Sequence, residues 1–465
     1  MDASRLTDLL RTFTRTEQRE LRKVAASPFF NQRQDVPALL DLLLHCINEE
    51  KPLPDKAEAH RLLYPDLPFD DHRVRMAMSF MMKIAEQYLV HQAFFEDEVK
   101  VKTKLAEVYR QRGLAKHFDR TIREAQALQA RSPLRNAEFF SDEYHLELEQ
   151  YRFAATGSRT AAHNLQAISD NLDTAYFAQK LRQACLLLSH QAVYKTDYRF
   201  GMLEEVLAHV ESQQMLGIPA IAVYYFCYRA ITQPEQPDHF HQLKRLLVEE
   251  HAKFPQHEIA DLYLLAINYC IRHYNQGNPA YLADEFELYQ QGLQRSYFLN
   301  NGTLSRFTYR NVVTVGLKQK AFDWVENFVK EFKEKLEPKH RASMFSFNMA
   351  RLAYERRQHG QALQLLQKSE YSDLLLNLAA KTLMLKIFYE NGDYDTLDSH
   401  LSAMQKFIRR KKIMGYHREN YLNFALFLKR LMEASDKAAL DALREEVRAA
   451  GAVAEREWLL VLIET

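Results

Sequence analysis

Two segments of this chain, 279 residues apart, repeat the same spacing of small, apolar and glycine residues. In each segment apolar residues lie three or four positions apart, a glycine follows, and the apolar spacing resumes five residues later. The matched positions are Ala106, Tyr109, Gly113, Phe118, Ile122 and Ala125 in one copy, and Leu385, Phe388, Gly392, Leu397, Leu401 and Met404 in the other. This spacing predicts two helices joined by a glycine turn. The chain is therefore expected to be built from repeated helix pairs.

Composition agrees with an all-α fold. A chain of 465 residues is too long for one compact core, but helix pairs that pack only on their neighbours avoid that limit. The 12 glycines are fewer than half the usual share of about 7%. No stretch alternates convincingly between polar and apolar residues, so we predict essentially no sheet.

The N-terminal part differs from the rest of the chain in its proline and glycine content. Six of the 13 prolines fall in the first 68 residues, and no glycine precedes Gly113. Thr14 and Glu17 have the spacing of a capping box, and Asp35 is expected to cap the next helix. We predict a small helical N-terminal domain over 1–96, followed by an irregular array of helix pairs over 97–465 that ends in capping helices. Within the array we expect one pair over 142–172, the next over about 175–213, and the last at roughly 415–433 and 437–449.

The repeated segments resemble tetratricopeptide-like repeats. The resemblance is best over 378–404, with the sequence YENGDYDTL at its centre, and looser over 102–130. Lys102 and Lys381 stand at the same place in both copies, where the family has a bulky apolar residue. The resemblance implies an α-solenoid, a superhelix of antiparallel helix pairs whose first helices form a surface that binds a protein or peptide.

The sequence offers little evidence of catalysis. It contains no glycine-rich phosphate loop and none of the common hydrolase or metalloprotease motifs. The 18 histidines show no ligand spacing, and adjacent carboxylates would diverge on a helix. We therefore expect no enzyme activity, no metal and no cofactor. An all-α toroid enzyme with carboxylates facing across a cleft stays open as a distant alternative.

The cellular setting is expected to be cytoplasmic. The four cysteines lie far apart in apolar stretches, so we expect buried free thiols in a reducing compartment. The N-terminus lacks the pattern of a secretory signal, and the longest apolar run, 220–228, is too short to span a bilayer. The formal net charge is +1, so no overall field attracts nucleic acid or a membrane.

Two stretches are nevertheless strongly basic. Residues 99–135 and 402–430 each carry a net charge of +7, and the second contains Arg409, Arg410, Lys411 and Lys412 in succession. Cations at a helix C-terminus and a solvated helix face would explain both stretches. A docking patch for nucleic acid or an acidic partner is the other interpretation.

The leading hypothesis is a non-catalytic scaffold or adaptor that binds a protein or peptide. Lys102, Arg110, Lys381 and Lys386 are the candidate contact residues on the first helices, and 409–412 form the candidate basic patch. The alternative is a nucleic-acid-associated regulatory protein that uses the two basic stretches. Phe29 and Phe30, in a loop after a helix stop, are expected to fold back between the first helices; exposed, they would be a binding hot spot.

Overall fold

A computed structural model describes residues 1, 4–157, 164–194, 196–368, 370–410 and 415–464. These residues contain twenty-three α-helices, three short 3-10 helices and one hairpin of two-residue strands, so the predicted all-α class is confirmed. The chain divides into two compact units, Met1–Lys180 and Leu181–Thr465. The predicted boundary at 96/97 falls between two helices of the first unit and stays a prediction.

The first unit starts with five helices and continues with helices that pack pairwise. The α-helices are α1 (Arg5–Arg11), α2 (Arg15–Ala26), α3 (Asp35–Asn48), α4 (Lys56–Leu63), α5 (Asp71–Phe95), α6 (Glu98–Gln111), α7 (Ala115–Arg131), α8 (Ala137–Gly157) and α9 (Leu165–Tyr194), of which α9 continues past Lys180. Helix α6 packs against α7, and both pack against α8.

The second unit is a succession of helix pairs. Its α-helices after α9 are α10 (Leu203–Ser212), α11 (Pro219–Thr232), α12 (Pro237–Glu249), α13 (Gln256–Asn275), α14 (Tyr281–Gln294), α15 (Arg306–Lys318), α16 (Phe322–Glu331), α17 (Pro338–Glu355), α18 (His359–Gln367), α19 (Leu374–Glu390), α20 (Tyr394–Arg410), α21 (Gly415–Glu433), α22 (Lys437–Ala449) and α23 (Arg456–Glu464). The 3-10 helices are Met215–Gly217, His251–Lys253 and Lys333–Lys335. From α11 to α23 each helix packs on the next, an arrangement compatible with a helical repeat fold.

The repeated spacing marks two cores, as predicted. Ala106, Phe118, Ile122 and Ala125 are buried together in the first unit, with Tyr109 packed against them. All five apolar members of the second copy are buried in one core of the second unit: Leu385, Phe388, Leu397, Leu401 and Met404. In both copies the glycine between the helices has a positive φ, 70° at Gly113 and 72° at Gly392.

The turn at these glycines recurs where no glycine is present. After Gly392, the Asp393 amide bonds the Phe388 carbonyl at 2.9 Å, and the Gly392 amide bonds that of Tyr389 at 3.0 Å, a Schellman motif. The same pair of bonds closes α13 at Gly277, α15 at Lys320 and α17 at Arg357. Lys320 and Arg357 adopt positive φ values of 56° and 61°. The helix pairs thus share one turn geometry more widely than their sequences suggest.

Of the three local predictions, one capping box is confirmed, whereas one helix cap and one break between helices are wrong. The capping box holds, since the Glu17 amide bonds the Thr14 hydroxyl at 3.3 Å and the Thr14 amide bonds the Glu17 carboxylate at 2.6 Å. Asp35 does not cap α3: its carboxylate instead accepts hydrogen bonds from Arg33 at 2.6 and 2.9 Å and from Tyr64. The expected break between helix pairs at 172–175 is also wrong, because α9 runs through it.

The one hairpin among the described residues was not expected. Its strands are β1 (Leu299–Asn300) and β2 (Thr303–Leu304), paired antiparallel with Leu299 opposite Leu304. Asn301 and Gly302 between them both have positive φ, at 48° and 76°. Two left-handed residues in succession make the turn that Asn-Gly favours in two-residue hairpins.

Candidate functional site

One cavity in the second unit is lined by the first helices of four successive pairs. It has a volume of about 270 Å³, and its wall comes from α15, α17, α19 and α21, closed by the turn before α23. The lining residues are Arg310, Phe347, Arg351, Tyr354, Glu355, Ala379, Thr382, Leu383, Lys386, Tyr421, Ala454 and Glu455. We call this space the first-helix cavity.

A common register places these side chains. Arg310 lies ten residues before the left-handed turn residue Lys320. Phe347 and Arg351 lie ten and six residues before Arg357, and Thr382 and Lys386 lie ten and six before Gly392. Three of the four helices, α15, α17 and α19, therefore present matching positions to the cavity, α15 through Arg310 alone. Since helical positions four apart share one face, the register of the turn determines which side chains line the wall.

Lys386 is held firmly on that wall. It is only 8% exposed, its ammonium donates to the Glu455 carboxylate at 2.6 Å, and it lies 4.9 Å from the centre of the Tyr354 ring and 5.4 Å from that of Trp458. An opposite charge and two aromatic faces compensate the burial of the ammonium. The predicted contact residue Lys386 is thus a wall residue of a cavity and not part of an open polar surface.

Glu390 holds two aromatic side chains near Lys386 in place. Its carboxylate accepts hydrogen bonds from the Tyr354 hydroxyl and, at 2.8 Å, from the Trp458 indole. Arg357 lies 3.1 Å away, which places its cation against the same carboxylate. Burial, with the Glu390 bond, raises the pKa of Tyr354 far above its usual value, so its hydroxyl stays protonated. These bonds tie α17, α19 and α23 together around Lys386.

Arg310 and Arg351 are the cations of the cavity that have no carboxylate partner within ion-pairing distance in the described part of the chain. Arg351 donates to the Thr314 hydroxyl at 3.0 Å, and its guanidinium lies 5.8 Å from the centre of the Phe347 ring. Burial and the nearby Arg310 lower the pKa of Arg351 to about 10. Arg351 stays charged at neutral pH, and the nearby Glu455 and Glu355 carboxylates compensate its positive charge only in part.

The first copy of the repeat forms a second cavity, in the first unit. It lies between α6 and α8, has a volume of about 580 Å³, and we call it the α6–α8 cavity. Its lining residues on α6 are Lys100, Thr103, Lys104 and Glu107, which match Ala379, Thr382, Leu383 and Lys386 of α19 at the 279-residue offset. Asp142 on α8 also lines it, and burial raises the pKa of this carboxyl to about 6.

The other predicted contact residues mostly make contacts within the chain. Lys102 donates to Glu124 of α7 at 2.5 Å, and Lys381 lies 5.8 Å from the Phe407 ring of α20. The twin lysines thus each face the second helix of their own pair. Arg110 binds the buried Glu149 carboxylate at 2.8 Å, where Glu149 lines the α6–α8 cavity.

The basic stretches differ in how their charges are used. In 99–135, five cations are paired with carboxylates at 2.5–2.9 Å: Lys100, Lys102, Lys104, Arg110 and Arg120. In 402–430, Arg409 and Arg410 are exposed at the end of α20, and no carboxylate of the described residues pairs with them. Lys411 and Lys412 lie outside the described residues.

The expectation for the Phe29–Phe30 loop is wrong. Phe29 is 88% exposed and Phe30 is 40% exposed, with ring centres 5.0 Å apart, so neither ring is enclosed between the first helices. Phe30 instead borders an open surface cavity of about 580 Å³ along α5, whose other lining residues are Lys83, Glu86, Gln87, Val90, His91 and Phe94. The sequence SPFFN gave the loop correctly but not the direction of its rings.

The described side chains form few arrangements that could support chemistry. Within the described residues, no three His, Cys, Asp or Glu side chains gather closely enough to hold a metal ion. All four cysteines are buried free thiols. Among the same residues, no helix has the length and apolar character needed to cross a membrane.

The residues that sequence reasoning missed are Arg310, Arg351 and Glu455. Arg351 had a usable signal, since it stands in a helix whose residues are apolar around most of the circumference, between Ala350 and Leu352.

Comparisons with known proteins add nothing: no family model matches the chain, and no match was found among curated proteins or solved structures.

Proposed function

We propose that this protein is a non-catalytic scaffold, of the tetratricopeptide-like kind, that binds a protein or peptide partner along its first helices. The observation that carries the proposal is the first-helix cavity, which is lined by four successive helix pairs, three of them in one register. A wall assembled from several pairs suits an elongated ligand that contacts each pair in turn.

The volume of the first-helix cavity suits one group of a larger partner better than a whole ligand. Pockets that enclose drug-sized molecules measure roughly 300–1,000 Å³. At about 270 Å³, the first-helix cavity accommodates a side chain or a terminal group better than a large cofactor. A segment of a larger partner would place one group in the cavity and make its remaining contacts on the neighbouring helices.

The test is affinity purification of the tagged chain from its native cells at moderate salt, with two matched variants. Ala379→Gln adds a long neutral side chain inside the cavity, whereas Ser399→Gln adds the same side chain to the exposed face of α20. We expect a stoichiometric protein partner with the native chain and with Ser399→Gln, and its loss with Ala379→Gln. Equal retention by both variants would refute binding at the cavity.

The nucleic-acid alternative is tested in the same purification. If no protein partner is recovered, and nuclease treatment releases bound nucleic acid, the scaffold proposal fails and the alternative replaces it. Ion pairing of half the cations in 99–135 weakens that alternative, because paired cations compete poorly for phosphates.

A further inference from the structure

We infer that the first-helix cavity binds a phosphomonoester group, with Arg310 and Arg351 as its two guanidinium ligands. The inference rests on the proposed function for the source of that group, which would be a phosphorylated residue of the protein partner. The binding chemistry itself is independent of the source, and it follows from the charges, donors and size of the cavity.

The charges of the cavity leave two cations available. Lys386 is already balanced by Glu455 at 2.6 Å. Arg310 and Arg351 come from different helices, line the same space, and lack a paired carboxylate in the described part of the chain. Glu355 also lines the cavity, but it is exposed and forms no ion pair among the described residues. An added anion therefore meets two guanidinium groups that form no direct ion pair with a described residue, although Arg351 donates to Thr314 and the Glu355 and Glu455 carboxylates lie near it.

The number of donors distinguishes a phosphate from a carboxylate. A guanidinium binds an oxyanion through a fork of two parallel N–H bonds. A carboxylate has two oxygens and satisfies one fork, whereas a phosphomonoester has three terminal oxygens and can bridge two. At neutral pH it also carries about −1.5 to −2 charge, which two guanidinium groups attract more strongly than they attract a single negative charge.

The shape of the cavity distinguishes a terminal phosphate from a nucleic-acid backbone. The wall is closed on one side by the turn at Ala454 and Glu455, which is fixed to α21 because the Ala454 amide bonds the Asn420 carbonyl at 3.1 Å. A phosphodiester backbone enters and leaves each phosphate and needs a groove open at both ends. A phosphate at the end of a side chain needs only one opening.

Several hydroxyl groups border the same space. Tyr421 and Thr382 line the cavity, and the Thr314 hydroxyl that accepts the Arg351 bond lies one turn along α15 from Arg310. The Thr382 hydroxyl donates to the Leu378 carbonyl at 2.9 Å, so it is oriented by its own helix. Burial raises the pKa of Tyr421, which also lines the cavity, so its phenol stays protonated and can act as a donor.

The experiment measures small-anion binding to the full chain by isothermal titration at pH 7.5 and low, constant ionic strength. The probes are inorganic phosphate, O-phosphoserine, serine and acetate. We expect saturable binding of both phosphates and none of serine, with acetate at least tenfold weaker than phosphate. Binding of phosphate should also weaken at pH 5.5, where its second ionisation is largely reversed.

Two double variants that each remove two positive charges provide the comparison. We expect Arg310→Gln/Arg351→Gln to weaken phosphate binding at least tenfold and Arg409→Gln/Arg410→Gln to change it less than twofold. If the first variant does not fold, Arg351→Lys decides, because it keeps the charge and loses the fork; binding should then fall at least threefold. Equal phosphate binding in native chain and cavity variants, acetate bound as tightly as phosphate, or no saturable binding would each overturn the inference.

These outcomes are separable from those of the proposed function. Phosphate binding that depends on Arg310 and Arg351, with no protein partner recovered, would retain the site and reject the scaffold. A partner lost on Ala379→Gln but retained at native affinity by Arg310→Gln/Arg351→Gln would retain the scaffold and reject the phosphate site. Dephosphorylation of the recovered partner should lower its affinity for the native chain, and should not do so for the cavity variant.

Discussion

The recurring left-handed turn gives a sharp prediction at Lys320. This residue closes α15 with a φ of 56°, makes the same two backbone bonds as Gly392, and is exposed. Its side chain has no ion pair or hydrogen bond among the described residues. Replacing it by glycine therefore tests the backbone conformation alone, and Lys320→Gly is expected to stabilise the second unit.

The magnitude is a difference of two effects. A residue with a side chain costs about 1–2 kcal/mol in the left-handed region, and glycine avoids that cost. Glycine in turn gives the unfolded chain more freedom, which lowers the free energy of unfolding by about 0.4–1 kcal/mol. The net gain for Lys320→Gly is about 0.5–1 kcal/mol. Gly392→Ala reverses both effects, because nothing lies within 4 Å of the added carbon, and should lose a similar amount.

Thermal unfolding followed by far-UV circular dichroism measures the effect. The second unit has about 285 residues, so its unfolding entropy is on the order of 600 cal/mol/K, and 0.5–1 kcal/mol shifts its midpoint by about 1–2 °C. Gly360→Ala is the control, since Gly360 is an exposed helical residue without a positive φ, and its midpoint should not fall. A lower midpoint for Lys320→Gly, or an unchanged one for Gly392→Ala, would refute the argument from the turn.

Three further predictions concern buried charge and the basic patch. Burial raises the pKa of Glu285 to about 7, above its unfolded value of about 4.5, so its ionisation destabilises the fold as pH rises through this range. Glu285→Gln should raise the free energy of unfolding by about 3 kcal/mol at pH 8 and change it little at pH 4.5. Equal shifts of the urea midpoint at the two pH values would contradict this. Glu455→Gln removes the carboxylate partner of Lys386 and should cost about 1–3 kcal/mol in urea unfolding, against almost nothing for the exposed Glu457→Gln. Replacing 409–412 by glutamine should leave partner affinity and its salt dependence unchanged, and a large loss in both would support the nucleic-acid alternative.

Helix positions were predictable where both ends carried a signal. The predicted helices at 415–433 and 437–449 agree with α21 and α22. Asp436 is the N-cap of α22, and aspartate just before a helix is a capping signal that can be read from the sequence. The predicted break near 172–175 is wrong, since Asp173 and Thr174 lie inside α9 and are tolerated there. Without a glycine or proline there, α9 continues to Tyr194.

The candidate site was harder to predict than the helices. Lys386 was identified as a contact residue, but its burial depends on Glu455, which is 69 residues away in sequence and meets it only in the folded chain. Arg351 was missed because periodicity identifies apolar faces and says little about a cation placed beside one. The left-handed conformation of Lys320 and Arg357 was not predicted for a related reason, since glycine was the signal used for such a turn and neither position has it.

The shared turn supplies the register that sequence reasoning lacked. Counted from each left-handed residue, positions ten and six earlier carry Arg310 and Thr314, Phe347 and Arg351, or Thr382 and Lys386, and the same positions before Gly113 carry Thr103 and Glu107. Before Gly277, however, both positions of α13 are isoleucine. The backbone thus repeats while the side chains at two positions vary from apolar to charged. These positions line a cavity in the second unit at Arg310, Phe347, Arg351, Thr382 and Lys386, and in α6 at Thr103 and Glu107. Under the proposed function, the side chains at these positions rather than the fold would determine what each pair binds.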